Sequence, residues 1–178
     1  MVLTANPQIA ARAKYLTTQA KDDEVRFVHH EVGYNYRLTN LQAALCVAQL
    51  EQLPQFLEIK AGHYAQYTRG LDGIPGLTLA PVPGYARNNH WLCALRIEAA
   101  TYGCDREILM ERLAQRGIQA RPVWHLNHLQ RSYLGCQTYR IERALVLWQT
   151  TLNLPSSVGL TSGQVGQVLD ALREFGPA

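Results

Sequence analysis

Lysine is nearly absent from this 178-residue sequence. Lys14, Lys21 and Lys60 are the whole set, and arginine supplies the other fourteen of the seventeen basic side chains. Any chemistry that runs through a lysine amine has only these three to draw on. Blocks of like charge are missing as well. The net charge of +3 comes from scattered arginines, with no basic stripe interleaved with aromatics, so a nucleic-acid partner is not expected. No stretch approaches the roughly 18 apolar residues of a membrane-spanning helix, and the start, Met1 to Asn6, lacks the cationic head and apolar run of a signal peptide. Cys46, Cys93, Cys104 and Cys136 form no C-x-x-C pair, which argues against a zinc knuckle or a redox dithiol. Reduced thiols in a cytoplasmic protein are the expectation.

What is present is the composition of a folded globular chain, 47% hydrophobic and 17% charged. A short apolar strand is expected at Met1 to Thr4. Asn6-Pro7 then supplies an N-cap residue and a first-turn proline for a helix whose Ile9, Ala13 and Leu16 share one face. A strand-helix unit with no earlier strand to pair with reads as the remnant of a larger domain. An irregular stretch follows, containing G-Y-N-Y-R-L-T-N from Gly33 to Asn40. Thr39 and Gln42 make a capping box for a strong helix with Leu41, Ala44, Leu45 and Ala48 on one face. Pro54 is expected to break or kink it. A second amphipathic piece carries Phe56, Ile59, His63 and Tyr67 up to the Gly70 to Gly76 cluster.

Beyond residue 75 the period changes from helical to alternating. Residues 1–75 are therefore assigned to a large-domain remnant, a loop and a long linking helix, and 76–178 to a small α+β domain. In the strand at 90–98, Trp91, Cys93, Leu95 and Ile97 alternate with a second face that is not wholly polar, so part of that face is expected to be covered too. Asp105 caps a helix with Ile108, Leu109 and Leu113 facing inward and Gly117 at its end. A short strand is placed at Ile118 to Val123 and a helix stripe at Ile141, Ala144, Leu145 and Trp148. Residues 153–157 read as an interruption. Thr161 and Gln164 cap a last helix with Val165, Val168, Leu169 and Leu172 inward. The fold class is α/β, with an α+β small domain in which helices cover one face of a mostly antiparallel sheet.

Three segments are more specific than periodicity. G-Y-N-Y-R-L-T-N-L-Q-A-A-L at Gly33 to Leu45, R-P-V-W-H-L-N-H-L-Q at Arg121 to Gln130 and T-L-N-L-P-S-S at Thr151 to Ser157 resemble, in order and separation, motifs of the DegT/DnrJ/StrS family of sugar aminotransferases. The resemblance implies the C-terminal domain of the type I pyridoxal-phosphate (PLP) aminotransferase fold, working as a dimer. It implies that PLP is held on a lysine of the other half of the enzyme, because the Schiff-base context is absent around Lys14, Lys21 and Lys60. The wording L-N-H-L-Q is closest to enzymes that aminate the 4-keto group of a nucleotide-linked 6-deoxyhexose, of the bacillosamine or legionaminic-acid type, with glutamate as the usual amino donor. By the same resemblance Asn35 reaches the PLP phosphate of the neighbouring subunit and Arg37 sits near it or near the sugar-nucleotide phosphates. Trp124, His125 and His128 line the sugar or nucleotide side of the mouth.

The residues by themselves leave plainer readings open. Asn35 beside Gly33 is a common turn residue, Arg37 a surface arginine before a helix, and Tyr34 and Tyr36 packing residues. His125 and His128 have metal-like spacing but no third ligand nearby, which leaves substrate contact or packing. At the level of the whole chain, an aminotransferase portion without catalysis of its own stands beside two alternatives: a non-catalytic oligomerisation or binding domain, and one half of a split enzyme.

Overall fold

A computed structural model of the chain describes residues 2–23 and 25–177, which gather into two compact units, Met1–Gln52 and Leu53–Ala178. In the first, helix α1 (Pro7–Thr17) starts where its caps dictate: Asn6 Oδ1 accepts from the N–H groups of Gln8 and Ile9, and Pro7 occupies the first turn. The expected strand before it does not form at Val2–Thr4, which pairs with nothing among the described residues; Met1 lies outside them. A single apolar run becomes a strand only beside a partner.

Helix α2 (Asn40–Leu71) begins with the Thr39/Gln42 box, Gln42 Oε1 accepting from Thr39 N at 2.9 Å and Thr39 Oγ1 from Gln42 N at 3.3 Å. It runs for 32 residues straight through Pro54, contrary to the expected break. The proline leaves only the Leu50 carbonyl without its helical donor, and Leu50 is exposed, so water can satisfy it. The division between the two units falls two residues before that proline.

The second unit is built on a four-stranded, wholly antiparallel sheet of order β1-β2-β4-β3, from β1 (Leu77–Leu79), β2 (Cys93–Ile97), β3 (Arg121–Pro122) and β4 (Thr151–Leu154). Cys93, Leu95 and Ile97 project from β2 to one side and meet Leu152 and Leu154 of β4. Four helices complete the unit: α3 (Ala99–Tyr102), α4 (Arg106–Gln115), α5 (Glu142–Thr150) and α6 (Ser162–Glu174). Leu109 and Leu113 of α4, the Val165, Val168, Leu169 and Leu172 stripe of α6, and Tyr67 and Leu71 at the end of α2 close this core. The Tyr67 and Tyr102 hydroxyls donate to the carbonyls of Pro155 (2.9 Å) and Leu172 (2.8 Å), so neither is buried without a partner.

Five sequence expectations for this unit need correction. Helices do not cover one face only: α5 meets β2 across the second face, where Val146 lies near Thr78 and Arg96. β4 takes the first two residues of the expected interruption, Asn153 and Leu154, and is buried at all four of its positions, so no alternation betrays it. Ile108 is 42% exposed, and the inward place at the start of α4 goes to Arg106, whose guanidinium donates to Trp148 O, pairs with Glu107 and lies 5.6 Å from the Trp148 ring. The third strand is two residues long rather than six, and the Leu145 end of the α5 stripe is exposed.

Candidate functional site

In the first unit, residues 33–37 are extended and fixed by their backbone. Tyr34 N donates to Leu16 O at 2.7 Å, Gln19 N to Tyr34 O at 3.1 Å and Tyr36 N to Thr17 O at 3.0 Å, which ties the segment to the end of α1. Gly33 is required by proximity: a Cβ there would lie 2.3 Å from Ala20 N. Extended backbone sends alternate side chains to opposite sides. Tyr34 and Tyr36 accordingly stack together, ring centroids 5.3 Å apart, while Asn35 and Arg37 share the other side, with Arg37 Nε donating to Asn35 Oδ1 at 3.3 Å and Arg37 Nη2 to Gln19 Oε1 at 3.2 Å. Both side chains are exposed, and Asn35 Nδ2 and the remaining guanidinium N–H groups point at no acceptor among the described residues.

The loop beneath is held by charge. The Asp22 carboxyl stays below the usual carboxylate range chiefly because the His30 N–H donates to it at 2.7 Å, and Glu31 is lowered by its bidentate pairing with Arg12. The His29-His30 pair is thus part of the scaffold: His29 Nδ1 also meets Gln19 O at 2.8 Å.

In the second unit Trp124, His125 and His128 lie in and after the turn that leaves β3. Trp124 packs against Trp91, centroids 5.4 Å apart, beside an open cleft of about 320 Å³ lined also by Gln119, Arg121, Asn153 and Ser156. His125 makes an edge contact with Trp148 at 4.9 Å, and His128, in a single 3₁₀ turn (Asn127–Leu129), is half-buried. Among the described residues no group of three His, Cys, Asp or Glu is arranged to hold a metal ion, and no helix is long and apolar enough to cross a membrane. Cys46 and Cys136 are exposed rather than buried like Cys93 and Cys104, and burial pushes the Cys93 thiol up to about 11.

The three lysines sit in unlike places. Lys14 is on α1 and Lys21 in the following loop, its Nζ 5.2 Å from the Phe27 ring centre. Burial draws the Lys60 pKa down, yet its Nζ donates to Ser156 O at 2.6 Å and Trp91 O at 3.2 Å. Sequence reading passed over Trp91, Lys60 and Asn153. No local pattern joins them, and the strand starts at Cys93, after His90 takes a left-handed φ of 48°.

The chain belongs to the DegT/DnrJ/EryC1/StrS aminotransferase family, whose model matches residues 1–173. It is 30% identical over 176 residues to EpsN of Bacillus subtilis (strain 168), which carries the description of a pyridoxal phosphate-dependent aminotransferase; the match covers 96% of this chain and 45% of that protein. It is 30% identical over 173 residues to the GDP-perosamine synthase of Caulobacter vibrioides, covering 97% and 46%. Among solved structures, DesV of S. venezuelae superposes with a TM-score of 0.73 at 28% identity, covering 97% of this chain and 45% of DesV. The chain thus spans about half the length of the relatives it matches.

Members of the family are PLP-dependent aminotransferases. The Asn35–Arg37 side of the loop fits a phosphate: an amide N–H pair and a guanidinium, both exposed on a fixed backbone, are the donors such an anion takes.

Proposed function

We propose that this chain is the C-terminal portion of a PLP-dependent aminotransferase acting on a nucleotide-linked 4-keto-6-deoxy sugar, and that it does not transaminate alone. The observation that carries the reading is the pairing of Asn35 and Arg37 on one side of a backbone-fixed loop, inside a chain that belongs to the aminotransferase family. The name of the GDP-perosamine synthases supports a nucleotide sugar as substrate class. PLP, when bound, supplies the electron sink for carbanion chemistry at the substrate carbon. This chain's residues bind and orient. Asn35 Nδ2 donates to a phosphate oxygen of the cofactor held by the neighbouring subunit, and Arg37 offers its fork to the same phosphate or to the sugar-nucleotide diphosphate. Trp124 forms an apolar wall of the substrate mouth, with His125 and His128 beside it as donors to sugar or nucleotide.

None of the three lysines suits a Schiff base. Lys60 has its amine committed to two backbone carbonyls, contacts that imine formation at its nitrogen would break. Supplied with PLP, glutamate and a GDP-linked 4-keto-6-deoxyhexose, the purified chain is therefore expected to release no 2-oxoglutarate above background. Sustained turnover that disappears in Lys60→Met would contradict the reading.

The apolar side of α2 favours association. Leu41 is 82% and Leu45 64% exposed one turn apart, and an apolar patch of this kind draws a partner. A second copy of the chain is proposed to cover it, giving a homodimer or larger symmetric oligomer in a cytoplasmic setting. Light scattering at micromolar concentration should give at least twice the 20.0 kDa chain mass; a stable monomer is the contrary result.

A further inference from the structure

We infer that the Trp91–Trp124 cleft is a stacking platform for a planar heterocycle, the base of a nucleoside diphosphate, and that Trp91 supplies the principal ring face. The inference rests on the nucleotide-sugar reading above and names the part of that substrate which this cleft takes. The two indoles remain 61% and 66% exposed although they touch. Their planes are tilted by 38°, so they open as a wedge rather than closing on one another. A planar ring laid against the open side of the wedge stacks on the exposed face of Trp91, and stacking of this kind accepts any base because every base has a π-face.

The rim fits a base better than a pyranose. Gln119 and Asn153 carry amides, each with donor and acceptor side by side as on a base edge, and Arg121 adds a positive charge suited to a neighbouring diphosphate. No carboxylate is among the residues that line the cleft, so the strongest acceptors for sugar hydroxyls are missing there. Asn153 lies at the floor in β4, buried, and spends only a long 3.5 Å hydrogen bond on Pro122 O. About 320 Å³ is the lower end of the range of small-ligand sites, roughly 300–1,000 Å³, and suits one base with its ribose.

Trp91 is also preorganised. Its carbonyl accepts from Lys60 Nζ (3.2 Å) and Ser156 Oγ (2.9 Å), its N–H donates to Asn89 Oδ1 (3.0 Å), and Lys60 reaches Ser156 O on the far side. A backbone fixed at this many points lowers the ordering cost of presenting the ring on binding.

The test is titration of the full chain with GDP, dTDP and glucose 1-phosphate, followed by tryptophan fluorescence and calorimetry. Both nucleotides are expected to quench saturably and glucose 1-phosphate not to. Trp91→Leu should weaken nucleotide binding about five- to a hundredfold, the factor that corresponds to one lost base stack, and Trp91→Phe should restore most of it. Because the ring is exposed, circular dichroism should show both variants folded. If Trp91→Leu binds GDP as tightly as the parent chain, the platform is overturned while the nucleotide-sugar reading stands. If glucose 1-phosphate binds and quenches like the nucleotides, the cleft is a sugar site and the inference is wrong. If no nucleotide binds at millimolar concentration, the platform and this chain's share in nucleotide recognition both fall.

Discussion

An intact enzyme of this family in which the asparagine matching Asn35 is replaced by alanine should lose its grip on PLP by about ten- to a hundredfold. The substitution removes one hydrogen bond to a charged phosphate, about 1.5–3 kcal/mol. Asn35 is held in an extended segment by three backbone bonds, so the change should remove the donor and leave the loop in place. The proposed contact crosses subunits, and this yields a sharper expectation. Subunits with the alanine, mixed with subunits that lack the Schiff-base lysine, form heterodimers with at most one native composite site. There the lysine-lacking subunit lends its intact asparagine to its partner's lysine, and activity should return to about half of wild type per dimer. Heterodimers that form but recover nothing would place the Asn35 contact within its own chain.

Leu95→Ala should be among the most damaging single changes to the second unit. Leu95 is fully buried in β2, with Leu79 of β1 and Leu152 of β4 directly opposite it in register, so truncation opens a cavity that neither neighbouring strand can fill by sliding. Core Leu→Ala changes of this kind cost about 2–5 kcal/mol, a large part of the roughly 5–15 kcal/mol that a domain has in total. The thermal midpoint should fall by roughly 8–20 °C. Ile108→Ala is the control. Periodicity set Ile108 in the core, but its partial exposure limits the cost to about 1 kcal/mol or less. Equal losses for the two would mean that the structural assignment of Ile108 is wrong.

Local features were the legible ones. The Asn6-Pro7, Thr39/Gln42, Asp105 and Thr161/Gln164 starts all form where the residues place them, because a cap is satisfied within three residues of chain. The core stripes of α6 and of the second half of α2 were legible for the same kind of reason: a helix that covers one core shows it in its period. What the sequence hid depends on partners distant in the chain. β4 is covered on both faces, and a strand in that position carries no alternation. Arg106 is buried because the Trp148 carbonyl, 42 residues away, accepts a hydrogen bond from its guanidinium and the indole faces its charge. The aromatic cleft joins residues from before β2, after β3 and the end of β4, which only the sheet brings together. Asn35, by contrast, is a candidate only through a motif, while its physical context, the stacked tyrosines on one side and the paired donors on the other, follows from the two-residue period of an extended chain.

The proposed function requires that no Schiff-base lysine lies among Lys14, Lys21 and Lys60. Its most direct test is to incubate the folded chain with PLP, reduce with borohydride, dialyse and map the product by mass spectrometry. The account predicts only substoichiometric labelling spread over the exposed amines, with Lys60 protected by its bonds to Trp91 and Ser156. One equivalent of pyridoxyl group fixed on a single lysine would contradict it.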